Sequence, residues 1–145
     1  MKIYYREKSG GIEILRCFGI EGRVEIPGMI DGKLVISAAP YAFSSHMDEK
    51  EDLKNASLWE VSDGLEFGRE EHVLAGNDVE EIVFPYTLKE IGRYIFYGCG
   101  NLKKLEFSDS LMQIGCGAFT GCHALEKLTV HMEQGKKSGV KEMLG

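Results

Sequence analysis

The side chains best suited to nucleophilic or metal chemistry are four cysteines and four histidines, scattered along the 145-residue chain. They are Cys17, Cys99, Cys116, Cys122, His46, His72, His123 and His131. No two cysteines form a C-x-x-C pair and the histidines share no motif, whereas a metal site needs ligands with a common geometry. Cys122 and His123 are adjacent, but neighbours on an extended corner point to opposite sides and cannot easily share a proton. The sequence therefore predicts no metal site and no catalytic cysteine.

Motifs for other enzyme chemistry are missing as well. There is no Gly-x-Ser-x-Gly elbow for a nucleophilic serine. The string Gly115-Cys116-Gly117 resembles part of a dinucleotide fingerprint, but the third glycine and the following long helix are lacking. The 23 Asp and Glu residues include no pair in an apolar setting that would raise a carboxyl pKa for acid–base catalysis. We therefore expect a non-catalytic protein that uses no cofactor.

A repeat of 23 residues runs from Val79 to Val130. The recurring pairs are Phe84/Phe107, Leu88/Leu111, Ile91/Ile114, Gly92/Gly115, Phe96/Phe119, Gly98/Gly121, Cys99/Cys122 and Leu102/Leu125. A fixed period of this length is typical of a solenoid, whose units stack along one axis. Within one unit, residues 105–107 alternate apolar, polar, apolar as in a short strand. Gly115 and Gly117 allow a tight bend because they have no Cβ atom.

These strings resemble a known family. Ile91-Gly92…Phe96…Gly98-Cys99 and Ile114-Gly115…Ala118-Phe119…Gly121-Cys122 are similar to the BspA-type leucine-rich repeats of bacterial and protozoan proteins. The clause Ile26-Pro27…Ile30-Asp31-Gly32-Lys33…Tyr41-Ala42-Phe43 resembles the opening repeat of that family. The resemblance covers roughly residues 12–130 and implies a binding module, with adhesion or host contact where members are exported. The Asn of the better-known leucine-rich consensus is missing near Thr87 and Ser110, so we expect no continuous Asn ladder.

We predict one domain, 1–145, with an α/β solenoid fold. It is a right-handed leucine-rich-repeat stack of about four coils, with one parallel β-sheet on its concave face. Residues 1–22 form an N-terminal cap, a β-hairpin whose turn lies at Ser9-Gly10-Gly11. The repeats occupy 23–130. Residues 131–145 are a tail that either caps the stack or leaves its last strand bare.

A degenerate coil is predicted between the first coil and the clear repeats. The apolar residues that lie 23 positions before Ile82, Phe84, Leu88 and Phe96 are Trp59, Val61, Leu65 and Val73. An insertion then falls at about 44–55, where residues 47–54 are good helix formers and predict a short exposed helix.

Cys99 and Cys122 are one period apart, so they stack on adjacent coils and come close enough in principle for a disulfide. The favoured interpretation is a column of buried free thiols, and the disulfide stays an alternative.

Composition limits the compartments and partners. The net charge of −6 argues against nucleic acid and anionic membranes, which attract clustered Lys and Arg. No apolar run approaches the ~20 residues that would span a bilayer. The N-terminus lacks a signal peptide, so as written the chain is expected in the cytoplasm. Because the family it resembles is often secreted or surface-displayed, a chain trimmed of its export signal is the alternative.

The outward strand positions are the predicted binding site. Stacked parallel strands lie about 4.8 Å apart and align these positions into columns on the concave face. The candidate residues are Glu25, Leu58, Glu60, Glu81, Val83, Lys104, Glu106, Lys127 and Thr129. We predict protein–protein recognition there, against the alternative that these are only solvated strand faces. Two other functions stay open: self-assembly as a homodimer through the exposed terminal strand, and glycan binding, which ranks last because the columns contain no aromatic residue.

Overall fold

The computed structural model describes residues 1–19, 22–46, 53–61, 72–74 and 78–131. Within these ranges the chain forms twelve strands and one 3-10 helix, Leu53–Asn55. In chain order the strands are β1 (Lys2–Lys8), β2 (Gly11–Gly19), β3 (Arg23–Glu25), β4 (Met29–Ile30), β5 (Lys33–Ala38), β6 (Ser57–Glu60), β7 (His72–Val73), β8 (Glu81–Val83), β9 (Glu90–Ile91), β10 (Lys104–Ser108), β11 (Gln113–Ile114) and β12 (Lys127–His131). The fold is a β-solenoid of about four turns rather than the predicted α/β solenoid, since turns close the coils in the described part of the chain.

The first strand of each coil joins a four-stranded parallel sheet in the order β12-β10-β8-β3. Val24, Ile82 and Leu105 pair in register along this sheet and are almost fully buried. Their neighbours on either side point away from the core, as the two-residue period of a strand requires. The 23-residue repeat therefore gave the correct register of β8, β10 and β12.

A second set of parallel strands corrects the prediction of a single parallel sheet. The second strand of each coil, in β5, β9 and β11, aligns Ala38, Ile91 and Ile114. The predicted N-terminal hairpin is present as antiparallel β1 and β2, joined by Ser9 and Gly10, which both have positive φ. Because β2 also pairs in parallel with β5, the hairpin extends the second sheet instead of only covering its end.

The degenerate coil predicted around Trp59 is wrong. Strand β3 pairs directly with β8, so no strand from residues 56–78 lies between them. Instead β6 pairs antiparallel with the free edge of β1, and β7 pairs antiparallel with β2. Strand β6 pairs with β1 over four residues, one more than β3 pairs with β8. Leu58 and Val61 remain 43% and 49% exposed, too exposed for a central coil. Strands β6 and β7 therefore lie against the hairpin and outside the four-stranded sheet.

Aromatic rings form the spine of the core. The Phe43 and Phe96 centroids are 6.2 Å apart, and those of Phe96 and Phe119 are 5.8 Å apart. Phe84 stacks on Phe107 at 5.5 Å. Contacts at these separations are favourable for aromatic pairs. They show that the first coil, which contains Phe43, packs directly against the coil that contains Phe84 and Phe96.

Glycines let the coils approach each other closely. A Cβ atom on Gly92 would lie 2.3 Å from the backbone nitrogen of Pro40, so no larger residue fits without a shift. Gly115 makes the same approach to Arg93 in the preceding coil, whereas Gly117 has the positive φ of a true bend. The two glycines thus serve different purposes, although the sequence suggested a bend at both.

Thr87 and Ser110 lie near the positions at which the better-known leucine-rich consensus has an asparagine, and their hydroxyl groups form hydrogen bonds between coils. The Thr87 hydroxyl donates to the carbonyl of Gly28 at 3.5 Å, and that of Ser110 donates to the carbonyl of Leu88 at 3.0 Å. Each bond joins one coil to the coil before it.

Parts of three predictions lie outside the described residues: most of the helix predicted over 47–54, the tail beyond His131, and the placement of Leu65. Among the described residues, no helix is long and apolar enough to cross a membrane.

Candidate recognition surface on the parallel sheet

The outward side chains of β3, β8, β10 and β12 form what we call the parallel-sheet face. One column contains Arg23, Glu81, Lys104 and Lys127, and the next contains Glu25, Val83, Glu106 and Thr129. Seven of the nine predicted site residues therefore share this face. Each is fixed by the hydrogen-bond register of its strand, so the charges keep a set order.

Leu58 and Glu60 do not lie on this face. Both are in β6, where Leu58 is opposite Tyr4 and Glu60 is opposite Lys2. The Lys2 ammonium and a Glu60 carboxylate oxygen are 3.6 Å apart. Their predicted position on this face depended on the degenerate coil, which the pairing of β3 with β8 rules out.

The first coils carry a small ion-pair network. The Arg23 guanidinium donates to Glu25 at 2.6 Å and lies 3.5 Å from a Glu81 oxygen. The hydrogen bond to Glu25 raises the pKa of Arg23. Two carboxylates around one cation leave this end acidic.

The last coils are more basic. Lys104 and Lys127 are adjacent and exposed, and His131 contacts the Glu106 carboxylate. The face thus changes from acidic to basic along the solenoid axis. Opposed charges of this kind can orient a charged partner.

A shallow pocket of about 430 Å³ adjoins the β3 edge of the face. Its lining includes Met1, Arg23, Glu25, Trp59 and Val61. Sequence reasoning missed it because the pocket depends on β6 reaching the hairpin. A half-buried Trp59 next to charged strand ends adds an apolar contact that the predicted columns lack.

A second charged cluster lies away from this face, where the hairpin meets the coils. Glu13 is only 2% exposed and accepts hydrogen bonds from Arg6, Lys8 and Ser37. Lys8 also donates to Glu90 at 2.5 Å. This bond lowers the pKa of Glu90 and raises that of Lys8. Glu90 is thus held as the charged partner of Lys8, which suits a structural role better than proton transfer.

The four cysteines are free thiols, and the alternative of a Cys99–Cys122 disulfide is excluded. The Cys99 thiol donates to the carbonyl of Phe43 at 2.9 Å, and the Cys122 thiol donates to that of Phe96 at 3.4 Å. Burial raises the pKa of Cys17 to about 12 and that of Cys122 to about 11, which opposes nucleophilic chemistry. Within the described residues, no group of three or more His, Cys, Asp or Glu could hold a metal ion.

Comparison with known proteins now gives the class. Residues 70–138 match the family described as "BspA type Leucine rich repeat region (6 copies)". The match covers a little under half of the chain and confirms the resemblance of its repeats to the BspA-type leucine-rich repeats. No curated protein matches the chain.

Two solved structures are similar. One is a leucine-rich cell surface protein from Faecalibacterium prausnitzii A2-165, with a TM-score of 0.59, 19% identity, and coverage of 89% of this chain and 30% of that one. The chain thus spans under a third of that protein, and the likeness shows the fold alone. The other is a leucine-rich repeat protein from T. pallidum, with a TM-score of 0.32, 19% identity, and coverage of 90% of this chain and 83% of that one.

Proposed function

We propose that the chain is a non-catalytic protein-recognition module and that the parallel-sheet face is its binding site. The observation that carries this proposal is the ordered arrangement of charged side chains on four hydrogen-bonded strands. A rigid surface loses little conformational freedom on binding, so more of the contact energy contributes to affinity. Repeat proteins commonly use such extended surfaces to bind other proteins.

The partner best suited to this face is a protein or peptide with a basic segment next to an acidic one. The basic segment would meet Glu25 and Glu81, and the acidic segment would meet Lys104 and Lys127. The F. prausnitzii protein is described as a cell surface protein. Adhesion or host contact is accordingly the setting that we propose, provided that this chain is exported.

Charge reversal tests the location of the site. A partner would first be isolated by pull-down, and its affinity would then be measured for wild type and for Glu25→Lys/Glu81→Lys/Lys104→Glu, which reverses charges at both ends of the face. We expect a loss of at least about tenfold, because reversed charges repel the complementary groups. Glu60→Lys is the matched control, since Glu60 has the same charge and is exposed but lies on β6. Unchanged affinity in the triple variant would place the site elsewhere.

Self-assembly is a second candidate, supported by one feature. Strand β12 ends the order of the four-stranded sheet in the described part of the chain, and its Leu128 is 38% exposed. Edge strands of this kind can pair with another copy. Light scattering across a concentration series would then show a dimer at high concentration that Leu128→Lys abolishes. A constant monomer mass would exclude this function and leave the recognition proposal untouched.

A further inference from the structure

Four aromatic side chains gather on the turns that follow β5 and β9, away from the parallel-sheet face. Tyr41 stacks on Tyr94 with 5.7 Å between centroids, and Tyr97 meets them edge-on at 6.5 and 5.9 Å. His46 lies 5.5 Å from Tyr41 and 6.1 Å from Tyr97. Tyr97 is 41% exposed and His46 is exposed, while Tyr41 and Tyr94 are half-buried. We call these four residues the tyrosine cluster.

The backbone beneath the cluster is strained at two points. Tyr41 has φ 60° and Tyr94 has φ 52°, a left-handed conformation that is rare for bulky residues. The equivalent position in the next coil is Gly117, which adopts the same conformation freely. Glycine would therefore be the unstrained choice in every coil. Backbone strain costs free energy, so where the surrounding structure maintains it at the protein surface, it indicates a functional constraint.

A buried cation helps to hold this conformation. Arg16 is only 1% exposed, and its guanidinium donates to the carbonyls of Tyr41 at 2.7 Å and Ser44 at 2.6 Å. The Ser44 hydroxyl donates to the carbonyl of Tyr97 at 2.6 Å, which ties the two turns together. The rings are thus fixed before any ligand arrives, which is how precise binding sites are supported.

The arrangement of the rings limits the ligand. The three tyrosine rings contact one another. They therefore form no aromatic cage that could enclose an ammonium cation and no groove between parallel rings that could hold a proline. What they offer is a small apolar surface that is most open at Tyr97, since Tyr94 also packs against Gly117. The phenol hydroxyls, Ser45 and His46 are the polar groups of this surface. A sugar ring has the matching chemistry, because its C–H face packs on an aromatic ring while its hydroxyls form hydrogen bonds at the edge. The net charge of −6 disfavours polyanionic glycans.

We propose that the tyrosine cluster is a binding site for a neutral oligosaccharide of β-linked, gluco-configured sugars. Their ring hydrogens are all axial, so both ring faces are apolar enough to pack on tyrosine. The cluster spans two coils, which suits one or two sugar rings. This site is separate from the parallel-sheet face and does not depend on the protein-recognition proposal. The outward columns of that face contain no aromatic residue, so they gave no indication of a glycan site elsewhere on the molecule.

The test is calorimetric titration of the full chain with cellohexaose and with chitohexaose. We expect at least one of them to bind, and the dissociation constant to rise at least about tenfold in Tyr97→Ala, which loses a stacking surface. Tyr94→Gly is the second variant, because glycine accepts the left-handed backbone and the ring is removed without strain. Tyr86→Ala is the control, since Tyr86 is 78% exposed but lies outside the cluster. Circular dichroism verifies that each variant is folded.

Several outcomes would overturn the proposal. They are no binding of either oligosaccharide to wild type, equal affinity in wild type and both cluster variants, or an equal loss in Tyr86→Ala. A nonaproline peptide that binds the cluster when neither sugar does would assign the site to peptides instead. The charge-reversal triple variant should keep full affinity for the sugar, so the two binding proposals can fail separately.

Discussion

Phe96 contacts three other rings of the aromatic spine, with Phe43, Phe84 and Phe119 all within 6.2 Å between centroids. It is fully buried, whereas Phe119 in the next coil is only half-buried. Because the cost of a truncation grows with the cavity that it leaves, burial at each position sets the expected loss.

Phe96→Ala should lower the free energy of unfolding by about 3–5 kcal/mol, the usual range for a buried phenylalanine. Phe119→Ala is the matched comparison and should cost less, because water already reaches part of its ring. Urea denaturation of both variants measures the difference. An equal or larger loss for Phe119→Ala would contradict this order of burial.

At the scale of the element, the hairpin is joined to the coils by the ionic cluster around Lys8. Its ammonium lies 3.0 Å from Glu13 on β2 and 2.5 Å from Glu90 on β9. Glu13 is only five residues from Lys8, but Glu90 is 82 residues away and Lys8 lies outside the repeat, so no periodic pattern could have revealed the contact with Glu90. Only the pairing of β2 with β5 and of β5 with β9 brings them together.

Lys8→Met should destabilise the protein by about 1 kcal/mol at neutral pH, a modest figure because the Lys8 side chain is 41% exposed. The hydrogen bond to Lys8 lowers the pKa of Glu90 below its ordinary 4.5, so this stabilisation is present above that pH and is lost as pH falls through the lowered value. The pKa of Lys8 is raised above 10.5, so stabilisation persists to that pH and is lost as pH rises through the raised value.

The difference between wild type and Lys8→Met should therefore be constant from about pH 5 to about pH 10 and shrink in acid. Thermal unfolding across this range measures it. Lys33→Met is the control: the Lys33 side chain is 40% exposed, but its partner Glu7 is 64% exposed, so a smaller effect is expected. Equal effects of the two substitutions on stability would show that the burial of Glu13 does not strengthen the ion pairs of Lys8.

At the scale of the whole molecule, the repeat predicted what depends on local spacing and missed what depends on strand partners. The registers of Ile82 with Leu105 and of Phe96 with Phe119 follow from the 23-residue period. Trp59 and Val61 satisfy the same spacing, yet β6 pairs with the hairpin, because apolar spacing does not specify which edge a strand joins. Tyr41 and Tyr94 precede matching Phe positions, but the period breaks between them and hides the cluster.

The hairpin is consequently part of the core, and its removal tests the architecture as a whole. Ile12 and Ile14 of β2 are fully buried, and β2 supplies backbone hydrogen bonds to β5 and β7. Without residues 1–19, the apolar side of the first coil would face water and β6 would lose its partner strand β1. We expect this deletion to abolish cooperative thermal unfolding and to produce strong binding of a hydrophobic dye, the signature of lost specific packing. A deletion variant that still unfolds in one sharp transition would mean that the coils fold alone and that the hairpin is only a cover.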